Sequence, residues 1–261
     1  MDLSLQGKNA VVCGSTQGIG LAIAEELALL GASCTLIARN EESLKKVIKG
    51  LNISKGQEHN YLVADFSKPD EVRKIIDEHI ASRSVHILIN NTGGPPAGQI
   101  VDAKSDDFLK AFNQHLVCNH ILATAVITSM KKEGYGRIIN IISTSVRIPL
   151  KNLGVSNTIR GAVASWSKTM ANELGQFNIT VNNLLPGNIT TQRLSSLIET
   201  TAKKGNVLIQ VVEQNMKDEI PMKRFGKPSE IAAVAAFLAS PAGSYINGVS
   251  IPVDGGKTGS I

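Results

Sequence analysis

Aromatic residues are scarce in this chain of 261 residues: one tryptophan, three tyrosines and six phenylalanines, 4% in all. Lys and Arg are scattered among acidic residues without a long basic block. Together these two features argue against a nucleic-acid surface, which would combine a basic patch with stacking rings. The net charge of +5 then reads as a solvated basic exterior. Cysteine is limited to Cys13, Cys34 and Cys118, with no paired spacing. That rules against a disulfide scaffold or a metal site and predicts small core residues in a reducing compartment. No apolar run approaches the ~18 residues of a membrane span, and no basic, then apolar, leader pattern stands at the start. The expectation is a soluble cytoplasmic protein with no metal and no membrane or nucleic-acid partner.

What the chain does have is 43% apolar residues and strand and helix signals that alternate from end to end. Expected strands are Lys8 to Cys13, Cys34 to Ala38, Tyr61 to Ala64, His86 to Asn90, Arg137 to Ile142, Ile179 to Leu185 and Gly248 to Val253. Between them run helices from Ile19 to Leu30, through Leu44 and Val47, and from a capping Ser67 to about Ser82. Further helices are expected over Ser105 to Lys131, Asn157 to Gly175 and Pro228 to Ala239. The breaker-rich Asn91-Thr92-Gly93-Gly94-Pro95-Pro96 reads as a loop. Short apolar strands joined by crossover helices predict an α/β fold: a doubly wound, Rossmann-like parallel sheet in three layers. No repeat or linker divides it, so residues 1–261 read as a single domain. Ligands belong at the carboxyl ends of the strands.

At the first such end lies Gly14-Ser15-Thr16-Gln17-Gly18-Ile19-Gly20. Gly14 permits a tight turn, Gly18 permits close approach of a pyrophosphate, and Gly20 permits close packing of the following helix. The free N–H groups of that helix and its dipole favour phosphate. A strand before and a helix after supply the context that a dinucleotide site requires. At the end of the second strand, where an acidic residue would take ribose hydroxyls, stand Ala38 and Arg39. A guanidinium there suits a 2′-phosphate and hence NADP(H), although Arg39 also fits the start of a solvated helix. Asp65, closing the third strand, can accept from an adenine amine or cap the turn into Ser67.

These residues resemble the short-chain dehydrogenase/reductase family, and the resemblance spans nearly the whole chain. It is carried by Gly14 to Gly20, by Asn90-Asn91-Thr92-Gly93 as a variant of an Asn-Asn-Ala-Gly turn, and by Arg137-Ile138-Ile139-Asn140-Ile141-Ile142-Ser143. Pro186-Gly187-Asn188-Ile189-Thr190-Thr191 and Val253-Asp254-Gly255-Gly256 complete it. The stretch from Ile220-Pro221-Met222 to Arg224-Phe225-Gly226-Lys227-Pro228 is similar to 3-oxoacyl-carrier-protein reductases. The resemblance implies cofactor contacts at Asn91, Gly93, Arg160, Pro186, Gly187, Ile189 and Thr191. It also implies a substrate lid around 194–219 and a homo-oligomer, a tetramer or dimer built on the helices Ser105 to Lys131 and Asn157 to Gly175.

The family's catalytic group is Asn, Ser, Tyr and Lys. Here the serine is Ser143, but the tyrosine position is Ser156, the lysine position is Arg160 and the asparagine position is His115. An alkanol is a far weaker acid than a phenol and shorter by a ring, and a guanidinium cannot relay a proton. Replacement donors are His115, whose unperturbed pKa near 6.5 suits the task, or a water held by Ser143 and Ser156. His115 can equally serve as filling between helices. Ser143, Ser145, Arg147, Lys151 and Arg160 give a polar, basic rim suited to an anionic or carrier-linked carbonyl substrate. The resulting expectation is an NADP(H)-dependent oxidoreductase of a carbonyl or alcohol with an altered proton-transfer group. The alternative is a non-catalytic NADP(H)-binding sensor or assembly subunit.

Overall fold

The computed structural model describes residues 1–260. Seven parallel strands form one sheet in the order β3-β2-β1-β4-β5-β6-β7. They are β1 (Asn9–Cys13), β2 (Ser33–Ala38), β3 (Asn60–Val63), β4 (Ile87–Asn90), β5 (Gly136–Ile141), β6 (Ile179–Pro186) and β7 (Ser250–Val253). The order reverses between β1 and β4, so the connections of these two neighbours leave in opposite directions and open a crevice at their carboxyl ends.

Both faces of the sheet are covered, which is why the central strands are apolar throughout rather than alternating. Ala10 and Val12 of β1 face a core shared with α1 (Gly18–Leu29) and α9 (Pro228–Ala239). Val11 and Cys13 face the opposite core, with Ile76 of α3 (Pro69–Ile80) and Leu122 and Val126 of α5 (Cys118–Glu133). Ile23 and Leu27 of α1 are wholly buried, each contributing roughly 2–3 kcal/mol by removal from water. Small Ala232, Ala235 and Ala236 let α9 lie close against them. Cys13, Cys34 and Cys118 are free thiols buried in these cores, and burial raises all three thiol pKa values. Among the described residues, no helix is long and apolar enough to cross a membrane.

A row of amides crosses the sheet near those carboxyl ends. Asn90 Nδ2 donates to Asn140 Oδ1 at 2.8 Å, Asn140 Nδ2 to Asn183 Oδ1 at 3.0 Å, and Asn183 Nδ2 to Ser250 Oγ at 3.0 Å. These four residues occupy directly paired positions on β4, β5, β6 and β7.

Three local expectations are corrected. Ser67 does not cap α3: its N–H donates to Asp65 Oδ1 at 2.9 Å, and the helix opens at Pro69, whose fixed φ and missing N–H suit a first position. The helix expected over Ser105 to Lys131 is interrupted. It runs as α4 (Ser105–Phe112), a π-helical turn over Asn113–Val117, and α5. Finally, α6 spans Gly154–Leu174 and begins before Asn157, because Gly154 lets the backbone settle where a Cβ would meet Ile100 Cβ at 2.5 Å.

After β6 come α7 (Gln192–Gly205) and α8 (Ile209–Asp218). They bury Leu194, Ile198, Ala202 and Val212 with Ile220 and Phe225, in a cluster separate from both sheet cores.

Candidate active site

The glycine turn is built for closeness of backbone to backbone. Gly14 has φ +60°, and a Cβ on it would fall 2.4 Å from Asn91 O; a Cβ on Gly20 would fall 2.2 Å from Gly14 O. Gly20 thus packs against the turn itself. Asn91 Nδ2 donates to Cys13 O and Gly14 O, both at 3.2 Å. The Asn91 amide nitrogen thus stitches the β4 turn to the glycine turn, while Gly93 sits in the loop beyond.

What the turn leaves open matters more. Helix α1 starts after Gln17 with no capping side chain and no acidic residue in its first turn. Its N–H groups and dipole are uncompensated, and the fully buried Ser15 hydroxyl has no partner. Thr16 and Ile19 flank it half-buried, and Gln17 is exposed. These features fit a dinucleotide's pyrophosphate. Across the cleft, Thr191 caps α7, its Oγ1 accepting from Leu194 N at 3.4 Å, and its methyl would touch a Cβ on Gly18 at 3.2 Å. Pro186 ends β6, Gly187 admits Asp254 where a Cβ would lie 2.6 Å from its Cβ, and Ile189 is buried. Arg39 is exposed just past β2. Of the two roles open to Asp65, the turn is the one formed: the Ser67 N–H holds its carboxyl below the ordinary range, with smaller help from Arg39 and Lys68.

The altered catalytic positions meet at the carboxyl ends of β4 and β5. Arg160 is buried and donates from Nη1 to Ile141 O at 3.0 Å and from Nη2 to Thr92 O at 3.4 Å. Burial and, second, Arg193 push its pKa down to about 10, which leaves it charged at neutral pH. Thr92 Oγ1 lies 2.6 Å from His115 Nδ1. His115 sits on the π-helical turn, is buried, and has an Nε2 without a partner. Ser143 Oγ accepts from Ser145 N at 3.1 Å, and Ser156 is buried in the first turn of α6.

His115 does not keep the acidity expected of it. Burial, then Arg160, then Arg193 hold its pKa down to about 2, so the ring is neutral at any physiological pH. A buried imidazole beside a guanidinium cannot afford a second positive charge. In this arrangement the ring is held in a hydrogen bond with Thr92.

Arg193 was not singled out by sequence reasoning. From the first turn of α7 it reaches back to the loop after β4, donating to Gly94 O at 2.9 Å and Pro95 O at 3.2 Å. A Cβ on Gly94 would lie 2.9 Å from its Nη2, so that glycine makes room for the guanidinium. The signal in the sequence was slight: a second glycine after Gly93 and an arginine immediately before Leu194.

Known proteins resemble this chain over nearly its whole length. The family model described as enoyl-(acyl carrier protein) reductase matches residues 14–258. The chain is 34% identical over 257 residues to the NADPH-dependent reductase BacG of Bacillus subtilis, covering 97% of this chain and 99% of that one. It is also 34% identical over 258 residues to the 3-oxoacyl-[acyl-carrier-protein] reductase FabG of Pseudomonas aeruginosa, covering 97% and 98%. Among solved structures, L-sorbose reductase from Gluconobacter frateurii, complexed with NADPH and L-sorbose, superimposes with a TM-score of 0.94 at 31% identity over the full length of both chains.

Proposed function

Because the chain belongs to the short-chain dehydrogenase/reductase family, we propose that it is an NADPH-dependent reductase of a carbonyl substrate whose proton comes from water rather than from a side-chain phenol. The observation that carries the reading is the uncapped, uncompensated start of α1 under the glycine turn, with Arg39 at the neighbouring strand end. Ser15 and the α1 N–H groups would hold the pyrophosphate, Arg39 the 2′-phosphate, and Thr191 with Ile189 the nicotinamide end.

When bound, the cofactor supplies a hydride to the carbonyl carbon. The C=O electron pair would move onto oxygen, which would take a proton from water and leave hydroxide to the solvent, the products being an alcohol and the oxidised cofactor. The residues of this chain contribute positive potential: Arg160, fixed from two sides by Ile141 O and Thr92 O, stabilises developing negative charge without moving. Ser143 and Ser156 would hold the water. A missing general acid typically costs about 10²–10⁴-fold, whereas proximity contributes more, so turnover survives at a lower rate.

Two finer readings accompany this. The pair α7 and α8, with its own apolar cluster, would act as a lid that closes when Arg193 clasps the β4 loop. The exposed Leu109 and Phe112 of α4 would be covered by a second copy of the chain in a homo-oligomer.

Calorimetric titration with NADPH and NADH tests the proposal. NADPH is expected to bind preferentially, and Arg39→Ala to weaken NADPH by roughly 10–100-fold while leaving NADH nearly unchanged. Binding of neither cofactor would overturn it.

A further inference from the structure

Beside the carboxyl end of β5 lies a cavity of about 730 Å³, lined among others by Gln99, Ile100, Ser145, Leu150, Lys151 and Asn157. It is joined to the catalytic positions through the chain: Ser145 is two residues past Ser143, and Asn157 follows Ser156. Its walls are tied together rather than loose. Gly98 N donates to Asn152 O at 2.8 Å and Gly154 N to Gly98 O at 3.2 Å, closing a short bridge between the segments at 98 and 153.

Two polar groups in this wall are unsatisfied. Asn157 Nδ2 donates to Leu150 O at 2.8 Å, which fixes the amide and leaves Oδ1 as a buried acceptor with no donor. The Ser145 hydroxyl is buried and unpartnered as well, its own N–H being turned to Ser143 Oγ. Buried polar atoms without partners are rare in folded proteins because each forfeits its hydration. An acyl chain laid against this wall would leave both unpaired, whereas hydroxyl groups would satisfy both, since each can donate and accept. Exposed Lys151 adds an ammonium with no carboxylate within ion-pair distance among the described residues.

We propose that this cavity is the substrate pocket and that Ser145, Asn157 and Lys151 select a short hydroxylated keto acid, its hydroxyls on Asn157 Oδ1 and Ser145 Oγ and its carboxylate on Lys151. The proposal rests on the reductase reading. It makes Ser145 and Lys151 specificity-determining residues and excludes a long acyl chain as the preferred substrate.

Four probes with NADPH test it: 5-keto-D-gluconate, neutral L-sorbose, 5-oxohexanoate as the acid stripped of hydroxyls, and an acetoacetyl thioester of N-acetylcysteamine. The expected kcat/KM for 5-keto-D-gluconate exceeds that for 5-oxohexanoate by about 100-fold or more, because a site built for hydroxyls rejects the analogue lacking them. Ser145→Ala should lower that ratio about 10-fold and Ser145→Thr should restore it, while Lys151→Met should erase the preference for 5-keto-D-gluconate over L-sorbose. Independently of turnover, D-gluconate should bind to the NADP⁺-loaded protein by calorimetry, more weakly in the Ser145→Ala variant. Equal or better reduction of 5-oxohexanoate or of the thioester overturns the proposal, and so does absence of D-gluconate binding to the wild type. Reduction of the thioester alone would overturn it while leaving the reductase reading standing.

Discussion

Thr92 connects two of the altered positions, its hydroxyl against His115 Nδ1 and its carbonyl accepting from Arg160. The changes at the asparagine and lysine positions are thus one linked unit, which predicts that they cannot be reversed one at a time. Ser156→Tyr alone should not raise carbonyl reduction, because Arg160 cannot cycle a proton, nor should Ser156→Tyr with Arg160→Lys while His115 stays; adding His115→Asn to that pair should raise kcat by roughly 10²-fold in a stopped-flow assay. The same unit gives His115 a pH signature. In the unfolded chain it titrates near about 6.5 and in the fold near about 2, so between those values the unfolded state binds more protons. Stability is therefore complete above pH 6.5 and falls as pH drops below it, by up to ~1.4 kcal/mol per pH unit from this residue. His79 and His86, also lowered chiefly by burial, act in the same direction. Urea midpoints between pH 7.5 and 4.5 should show the decline, and His115→Asn should make it shallower.

Among the elements, the amide row across β4 to β7 is the feature most exposed to test. Asn140→Leu would strand Asn90 Nδ2 and Asn183 Oδ1 inside the sheet, with an expected loss of about 2–5 kcal/mol in urea unfolding. Strand and helix identities were readable because each crossover repeats the same alternation, and the glycine turn announced its own geometry at Gly14. The interruption of the long helix was not readable: helical spacing of apolar residues passes through Asn113–Val117 unbroken, and the π turn shows only in hydrogen bonding. The Ser67 cap failed for a local reason, since Pro69 fixed the helix start first. At the site, counting from Ser143 gives the positions that correspond to the family's catalytic group, and the fold brings His115 and Arg160 together through Thr92. The neutral state of His115 was not legible, because it depends on burial and on Arg193, which lies 78 residues away in the chain and approaches only through the fold.

For the whole molecule, the parallel sheet collects every site segment at one edge, while apolar side chains on α4 remain uncovered. Size-exclusion chromatography with light scattering should give two or four times the 27.8 kDa chain mass, and a mass of one chain would overturn the homo-oligomer reading. The amide row has a meaning at this scale too. A strand that slid two residues along its neighbour would keep every apolar side chain facing its proper core, so burial alone cannot detect the error. Sliding β6 against β5 in this way would bring Asn140 opposite Val181 or Leu185 instead of Asn183. The amides therefore serve as a vernier: four strands drawn from residues 87–253 lock only at the alignment where all the marks coincide, and that alignment fixes how far each strand end reaches toward the cleft.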